Sequence, residues 1–286
     1  MKTTVPDYLS IVPAEQNTPS GWGDINDYLA VDHPGYSISK FTVERNRQIS
    51  SPGKISWFWL ISGSCEVSLS PSDHLAECIP GDVVVLDDRH SAELRGSSEW
   101  MVMQYNHARQ SQVTGIHRLD EIEDTSGGCN VSQNAFRRLQ LVWDDTSTTT
   151  ENPDGDNLLG CHVVYMPEEH SRTHYHPVPP APGGKVQYEI YLVLDPAIHG
   201  IQPPANSTPG VYTYPEYGNW SRWDFTPLHP GDILAIKAGV GHRAVDVLAC
   251  VIGIPGFKPG NEFYLDGEIA GSNNVDTPYN ENFINH

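Results

Sequence analysis

Apolar residues run through this chain in short bursts punctuated by turn residues. ISWFWLISGSCEVSLS (55–70) reads as two strands around the turn Ser62-Gly63-Ser64. ECIPGDVVVLDD (77–88) reads as a Pro-Gly-Asp turn feeding a β-branched strand. The same grammar returns in the second half. VQYEIYLVLDP (186–196) is a strand of aromatic and branched residues, and HPGDILAIKAGVGHRAVDVLACVIGIP (229–255) repeats the Pro-Gly-Asp turn before a strand. PGDVVVL at 80–86 and PGDILAI at 230–236 align without a gap, about 150 residues apart, which predicts a duplicated β-domain.

The duplication divides the chain. Residues 1–112 hold the first copy, 113–157 a connecting segment, 158–256 the second copy and 257–286 an extended tail. Within the connector, IHRLDEIEDTSGGC predicts a short helix ended by Gly127-Gly128, and DDTSTTTENPDGD (144–156) an exposed loop. The tail has few apolar positions beyond Phe257, Phe263, Tyr264 and Leu265, so it is expected to pack over the barrels or over a partner subunit.

Composition supports an all-β, globular reading. Of 286 residues 38% are hydrophobic, and 23 Pro and 25 Gly are spread throughout, which favours short strands over long helices. The formal net charge of −19 repels phosphate backbones, so nucleic acid is excluded as a partner. Five scattered cysteines without a CxxC indicate neither a zinc knuckle nor a disulfide framework. MKTTVPDYLSIVPAEQ has no apolar core of a signal peptide, and no run is long enough to cross a membrane. A cytoplasmic protein with reduced thiols is the expectation, and the three N-x-S/T sequons (Asn130, Asn206, Asn219) are read as chance.

The chemistry concentrates in MPEEHSRTHYHPVPPAPGGKVQYEIYLVLDP (166–196) and PGDILAIKAGVGH (230–242). Strand residues two apart share a face, so His174 and His176 place two imidazoles side by side. Glu189 opens a strand whose Glu189, Tyr191 and Val193 share a face, and His242 arrives after the glycine turn of Gly239 and Gly241. Three imidazoles and a carboxylate suit one divalent ion, Fe(II), Mn(II), Ni(II) or Zn(II), and leave positions for substrate or dioxygen. Gln187, on the face of Glu189, is the substitute ligand or a substrate contact.

These segments resemble the two motifs of the cupin superfamily. The first, His-x-His followed by a glutamate leading a strand, is matched by His174, His176 and Glu189-Ile-Tyr-Leu-Val-Leu-Asp. The second, PGDxxxxPxGxxH, is matched by PGDILAIKAGVGH, with Lys237 where proline is usual. The chain departs from the pattern in a longer interval between His176 and Glu189 (VPPAPGGK inserted), in Asp195-Pro196, and in a Pro- and Tyr-rich insert over 197–226. Applied to the first copy, the template puts Ser56, seven before Gly63, at the glutamate position. ERNRQISSPGK supplies no His-x-His, and His90 comes two residues early. The resemblance therefore implies two tandem cupin (double-stranded β-helix, jelly-roll) barrels with a metal in the C-terminal one only. A single cupin beside an unrelated β-rich domain is the alternative.

Around the ligands, regular strand alternation would place His170 and Arg172 on the ligand face. His170 then reads as an acid or base, Arg172 as a partner of a substrate carboxylate, and Tyr191 as a hydroxyl that orients a ligand. Asp246, four residues after His242, would hold a ligand imidazole's second nitrogen. Tyr212, Tyr214, Tyr217, Trp220 and Trp223 form either a lid or the packing of a long loop. Cupins host many activities. A full ligand set without a nucleophile motif or phosphate loop points to an Fe(II)-dependent dioxygenase acting on a small polar organic substrate. The alternatives are a redox-neutral sugar or sugar-acid isomerase or lyase using Mn(II), Ni(II) or Zn(II), and a non-catalytic small-molecule-binding bicupin. A monomer and a homodimer both fit, because pairing of barrels within one chain replaces the dimer of single cupins.

Overall fold

The computed structural model describes residues 9–12, 23–24, 36–72, 74–105, 113–122, 136–138, 160–165, 173–176, 188–215, 222–254 and 263–264. The strands begin with β1 (Leu9–Val12), β2 (Gly23–Asp24), β3 (Tyr36–Val43), β4 (Asn46–Ser50), β5 (Ile55–Ser70) and β6 (His74–Cys78). Next come β7 (Val83–Leu86), β8 (Ser91–Tyr105), β9 (Gly115–His117), β10 (Phe136–Arg138), β11 (Gly160–Tyr165), β12 (His174–Tyr175) and β13 (Tyr188–Leu194). The last are β14 (Gly210–Tyr214), β15 (Asp224–Pro227), β16 (Ile233–Ile236), β17 (Gly241–Val245), β18 (Leu248–Ile254) and β19 (Phe263–Tyr264). Among the described residues the helical turns are both 3-10, over Leu119–Glu121 and Pro196–His199. None is long and apolar enough to cross a membrane.

The chain forms two compact units, one of 12–122 with 142–158 and one of 1–11, 123–141 and 159–286. The first holds an eight-stranded sheet in the order β2-β3-β8-β5-β7-β9, with β4 on β8 and β6 on β5. The second holds a six-stranded sheet, β1-β16-β13-β18-β11-β10, and a five-stranded sheet, β15-β14-β17-β12-β19. β1 thus lies in the C-terminal unit's sheet, where Leu9 joins the core formed by Tyr191, Val211, Leu234 and Val251. In the connector the short helix expected from 116 onward is replaced by β9 and a 3-10 turn. Its glycine end and the 144–156 loop lie outside the described residues.

The duplication reaches the hydrogen bonds. Leu60 N–H donates to the Asp82 carbonyl and Gly81 N–H to Leu60, as Val193 N–H donates to Asp232 and Gly231 N–H to Val193. In each copy the turn aspartate accepts from the backbone three residues back, at 2.9 Å from Ile79 N and 2.7 Å from His229 N. Gly81 and Gly231 take φ of 98° and 89°, a conformation that favours glycine at this turn.

Ser62-Gly63-Ser64 is not a turn. β5 is one 16-residue strand, paired along its length with β8 through a bulge between Leu60 and Ser62. Gly63, at φ 82°, is how the strand coils without breaking. A Cβ there would lie 2.2 Å from the Ser97 carbonyl oxygen. Gly96, paired with Cys65, is also close-packed, since a Cβ on it would meet the Ser64 carbonyl oxygen at 2.6 Å. Local turn chemistry lost to the long hairpin because pairing with β8 resumes at Ser62 and runs on to Ser70.

Candidate metal centre

The C-terminal unit brings its ligands from both sheets. His174 on β12 stands opposite His242 on β17 in an antiparallel pair. His176 follows directly, anchored where its carbonyl accepts from Gly239 N–H. Glu189 lies on β13, between Ile236 of β16 and Gly253 of β18, and projects from the other sheet. Gly239, at φ 82°, turns the chain so that β17 starts one residue before His242.

The four donors converge on one point. Glu189 Oε2 lies 3.2 Å from His242 Nε2 and 3.6 Å from His174 Nε2, and His176 Nε2 touches the same oxygen. The four ligand atoms lie within 4.8 Å of one another. Donors about 2.1 Å from a shared ion stand about 3.0–3.4 Å apart when neighbouring; the His242 contact falls in that range and the His174 contact just beyond it. Glu189, His176 and His242 are buried and His174 is partly exposed, so the cluster opens on the His174 side.

The protonation pattern suits a cation. A carbonyl can only accept, so the 3.0 Å contact from His242 Nδ1 to Val240 O places that ring's proton on Nδ1. Nε2 then turns a lone pair toward the Glu189 carboxylate. Burial pushes the His242 imidazole below its usual value despite the pull of Glu189. Burial by itself would raise Glu189, but His242 and His176 outweigh it and hold the carboxyl well below the ordinary range. Among the described residues the buried His242 Nε2, 3.2 Å from the carboxylate, has no hydrogen-bond partner. A cation would satisfy both groups, so the donor set fits a divalent ion held by His174, His176, Glu189 and His242.

Tyr191, on the face of Glu189, is buried with its ring 6.3 Å from the His242 ring, edge-on. Asp246 is buried at φ 52°, just past the end of β17, so strand alternation does not carry through to it. The second nitrogen of His242 is taken by the Val240 carbonyl. His170, Arg172 and Gln187 lie outside the described residues. The 197–226 insert is partly strand, since β14 and β15 complete the five-stranded sheet. Its Tyr212 packs on Trp223 and Phe225 and carries the buried Arg243 guanidinium over its ring at 4.7 Å. Tyr212 pairs with Arg243 while its neighbour Thr213 pairs with His242, so this aromatic cluster lies on the sheet face away from the ligands. Tyr217 and Trp220 lie outside the described residues. Thr213, fully buried on the ligand face, is a site neighbour that sequence reasoning missed. Only its alternation with Tyr212 and Tyr214 hinted at it.

The N-terminal unit repeats this ladder with other residues. Ser56 sits between Leu86 and Gln104 as Glu189 sits between Ile236 and Gly253. Ile49 stands opposite Ala92 as His174 stands opposite His242. The positions of His174, His176, Glu189 and His242 are therefore held by Ile49, Ser51, Ser56 and Ala92. His90 is drawn aside to the buried Asp87 carboxylate at 2.5 Å.

No protein-family model and no curated protein matches the chain. Solved structures do. Two structures of Bacillus subtilis oxalate decarboxylase, one studied for its Mn(II) centres and one a serine variant, align at TM-score 0.56 with 9% identity. The alignment spans 92% of this chain and 80% of theirs. A tryptophan variant of the same enzyme aligns at TM-score 0.55 with 10% identity over the same shares. The chain has the all-β cupin fold of these structures, with a three-histidine, one-glutamate candidate metal site in its C-terminal unit.

Proposed function

We propose that this protein is a metal-dependent cupin enzyme acting on a small polar organic molecule in its C-terminal barrel. The observation that carries the reading is the buried convergence of three imidazole nitrogens on one carboxylate oxygen. A divalent ion there would supply Lewis-acid polarisation or, as iron or manganese, redox chemistry. The chain's own residues supply the rest. Val193, Val211, Leu234, Ile236 and Val251 make an apolar wall that excludes water. Tyr191 and Thr213 lie on the ligand face, and we assign their hydroxyls to orienting a bound oxygen. Arg172 and His170, close in sequence to His174, are the groups we assign to a substrate carboxylate and to proton transfer.

Two finer readings follow. An Fe(II) dioxygenase is supported by a ligand set with no accompanying nucleophile motif. A redox-neutral isomerase or lyase is supported by the Mn(II) centres of the oxalate decarboxylase that this fold resembles. The test is elemental analysis of wild type and His176→Ala, both purified without added metal, followed by oxygen uptake with a panel of small organic acids. About one equivalent of metal in wild type, lost in His176→Ala, is expected. Iron with oxygen uptake selects the first finer reading, and manganese without uptake the second. No metal in wild type, and none taken up on soaking, refutes both.

A further inference from the structure

Two of the four vacated ligand positions of the N-terminal barrel, Ser51 and Ser56, are polar, beside the apolar Ile49 and Ala92. Ser51, at the place of His176, is almost fully buried, and among the described residues its Oγ has no hydrogen-bond partner. Ser56, at the place of Glu189, is fully buried and accepts from Gln104 Nε2 at 3.0 Å. The other end of that amide, Oε1, accepts from Lys54 Nζ at 3.3 Å. An ammonium can only donate, so it fixes which way the Gln104 amide points. Nε2 must face Ser56, and Ser56 Oγ, having accepted, keeps its own proton to give. In their hydrogen-bonding to one another these side chains leave donors unspent: the Ser51 and Ser56 hydroxyls, the second N–H of Gln104 Nε2 and the remaining N–H groups of Lys54.

The backbone explains how a cation reaches this place. Ser51-Pro52-Gly53-Lys54 is a tight turn closed by Lys54 N–H to Ser51 O at 3.0 Å, with Gly53 at φ 68°. It delivers Lys54 directly before β5. In the C-terminal barrel the corresponding interval, from His176 to Glu189, is much longer. The metal centre presents acceptors and calls for a cation. The N-terminal counterpart presents donors and a positive charge, and serine fills far less of the lumen than histidine or glutamate.

We propose that the N-terminal barrel is a metal-free binding site for a small carboxylate, held by Lys54, Ser51 and Ser56, with Gln104 as the positioning residue. The proposal is independent of the C-terminal chemistry and is tested apart from it. Acetate and oxalate are titrated calorimetrically, at constant ionic strength, into full-length His176→Ala protein treated with chelator. Saturable 1:1 binding of at least one anion is expected. Lys54→Met and Ser51→Val, each in the His176→Ala background, should weaken it by about tenfold or more, the scale of a charge-assisted hydrogen bond. Lys54→Arg should retain most of it. Lys54 is partly exposed at a turn, so an unchanged melting midpoint for Lys54→Met separates loss of the site from loss of the fold. Binding of neither anion, or binding indifferent to both Lys54→Met and Ser51→Val, overturns the proposal.

Discussion

Gly63→Ala tests the long hairpin that organises the N-terminal unit. Two costs are separable. An L-residue at φ 82° costs about 1–2 kcal/mol from the left-handed backbone alone. The new Cβ would also sit 2.2 Å from the Ser97 carbonyl oxygen and 3.0 Å from Ser98 Cα. Ordinary contact needs about 3.4 Å or more, so β5 and β8 must part by about 1 Å, weakening one or two ladder hydrogen bonds at about 1 kcal/mol each. The total is about 2–4 kcal/mol, a large share of the 5–15 kcal/mol typical of a domain. At about 4 °C per kcal/mol for a unit of this size, the melting transition should fall by about 8–16 °C. Gly53→Ala is the control. It has a similar φ, 68°, but nothing within 4 Å of the added Cβ, so it should cost only about 1–2 kcal/mol. Differential scanning calorimetry of both variants and wild type makes the comparison. Equal shifts for the two variants would refute the close approach and, with it, the reading of 55–70 as one coiled strand.

The centre also predicts a pH response. His242 is held below its usual value, so on acidification the unfolded chain takes up a proton near pH 6.5 that the folded chain refuses. Its contribution is complete above that pH and is lost below it. Glu189, also depressed, contributes above pH 4.5 and loses that contribution as pH falls through its lower folded value. Asp82, pushed up to about 6 by burial, runs the other way, favouring the fold as pH drops from 6 toward 4. The difference in melting point between metal-stripped wild type and His242→Asn, followed from pH 7.5 to 5, should therefore shrink on acidification; a constant difference contradicts a buried neutral imidazole. Asp82→Asn keeps one of two acceptors, now held for Leu119 N at 2.7 Å and Ile79 N at 2.9 Å. It should cost about 1–3 kcal/mol in denaturant unfolding at pH 7.5, and a neutral result would mean those bonds do not matter. Cys65 and Cys78, directly opposed on β5 and β6 and both buried, have thiols raised by burial. Peptide mapping after iodoacetamide treatment should find both unlabelled in the native protein and labelled after unfolding.

Much of the site was written in local spacing. His174 and His176 are two apart, Glu189 opens an apolar strand and His242 ends a Pro-Gly-Asp unit, so one short motif carries each ligand. The repeat of that unit also announced two β-units, because a turn with fixed φ and a branched strand are local events. What local pattern missed was decided across strands. Ser62-Gly63-Ser64 has the composition of a turn, yet pairing with β8 draws it into a strand. The insert's Thr213 became a ligand-face residue only when β14 docked on β17. The bond from the second nitrogen of His242 to the Val240 carbonyl, and the departure of Asp246 from strand geometry, likewise come from the folded backbone.

Composition, the all-β class, the duplicated turn and the identity of the four donors were determined by the sequence alone, since each depends on residues a few positions apart. Which side chains replace those donors in the first barrel was decided by tertiary structure. Ser56 could be counted from Gly63, but Ile49, Ser51 and Ala92 have no motif to mark them. Their equivalence exists only in the register of β4 and β8 against β12 and β17. Register is set by pairing over long chain separations, and a slip of one residue would send every side chain to the opposite face.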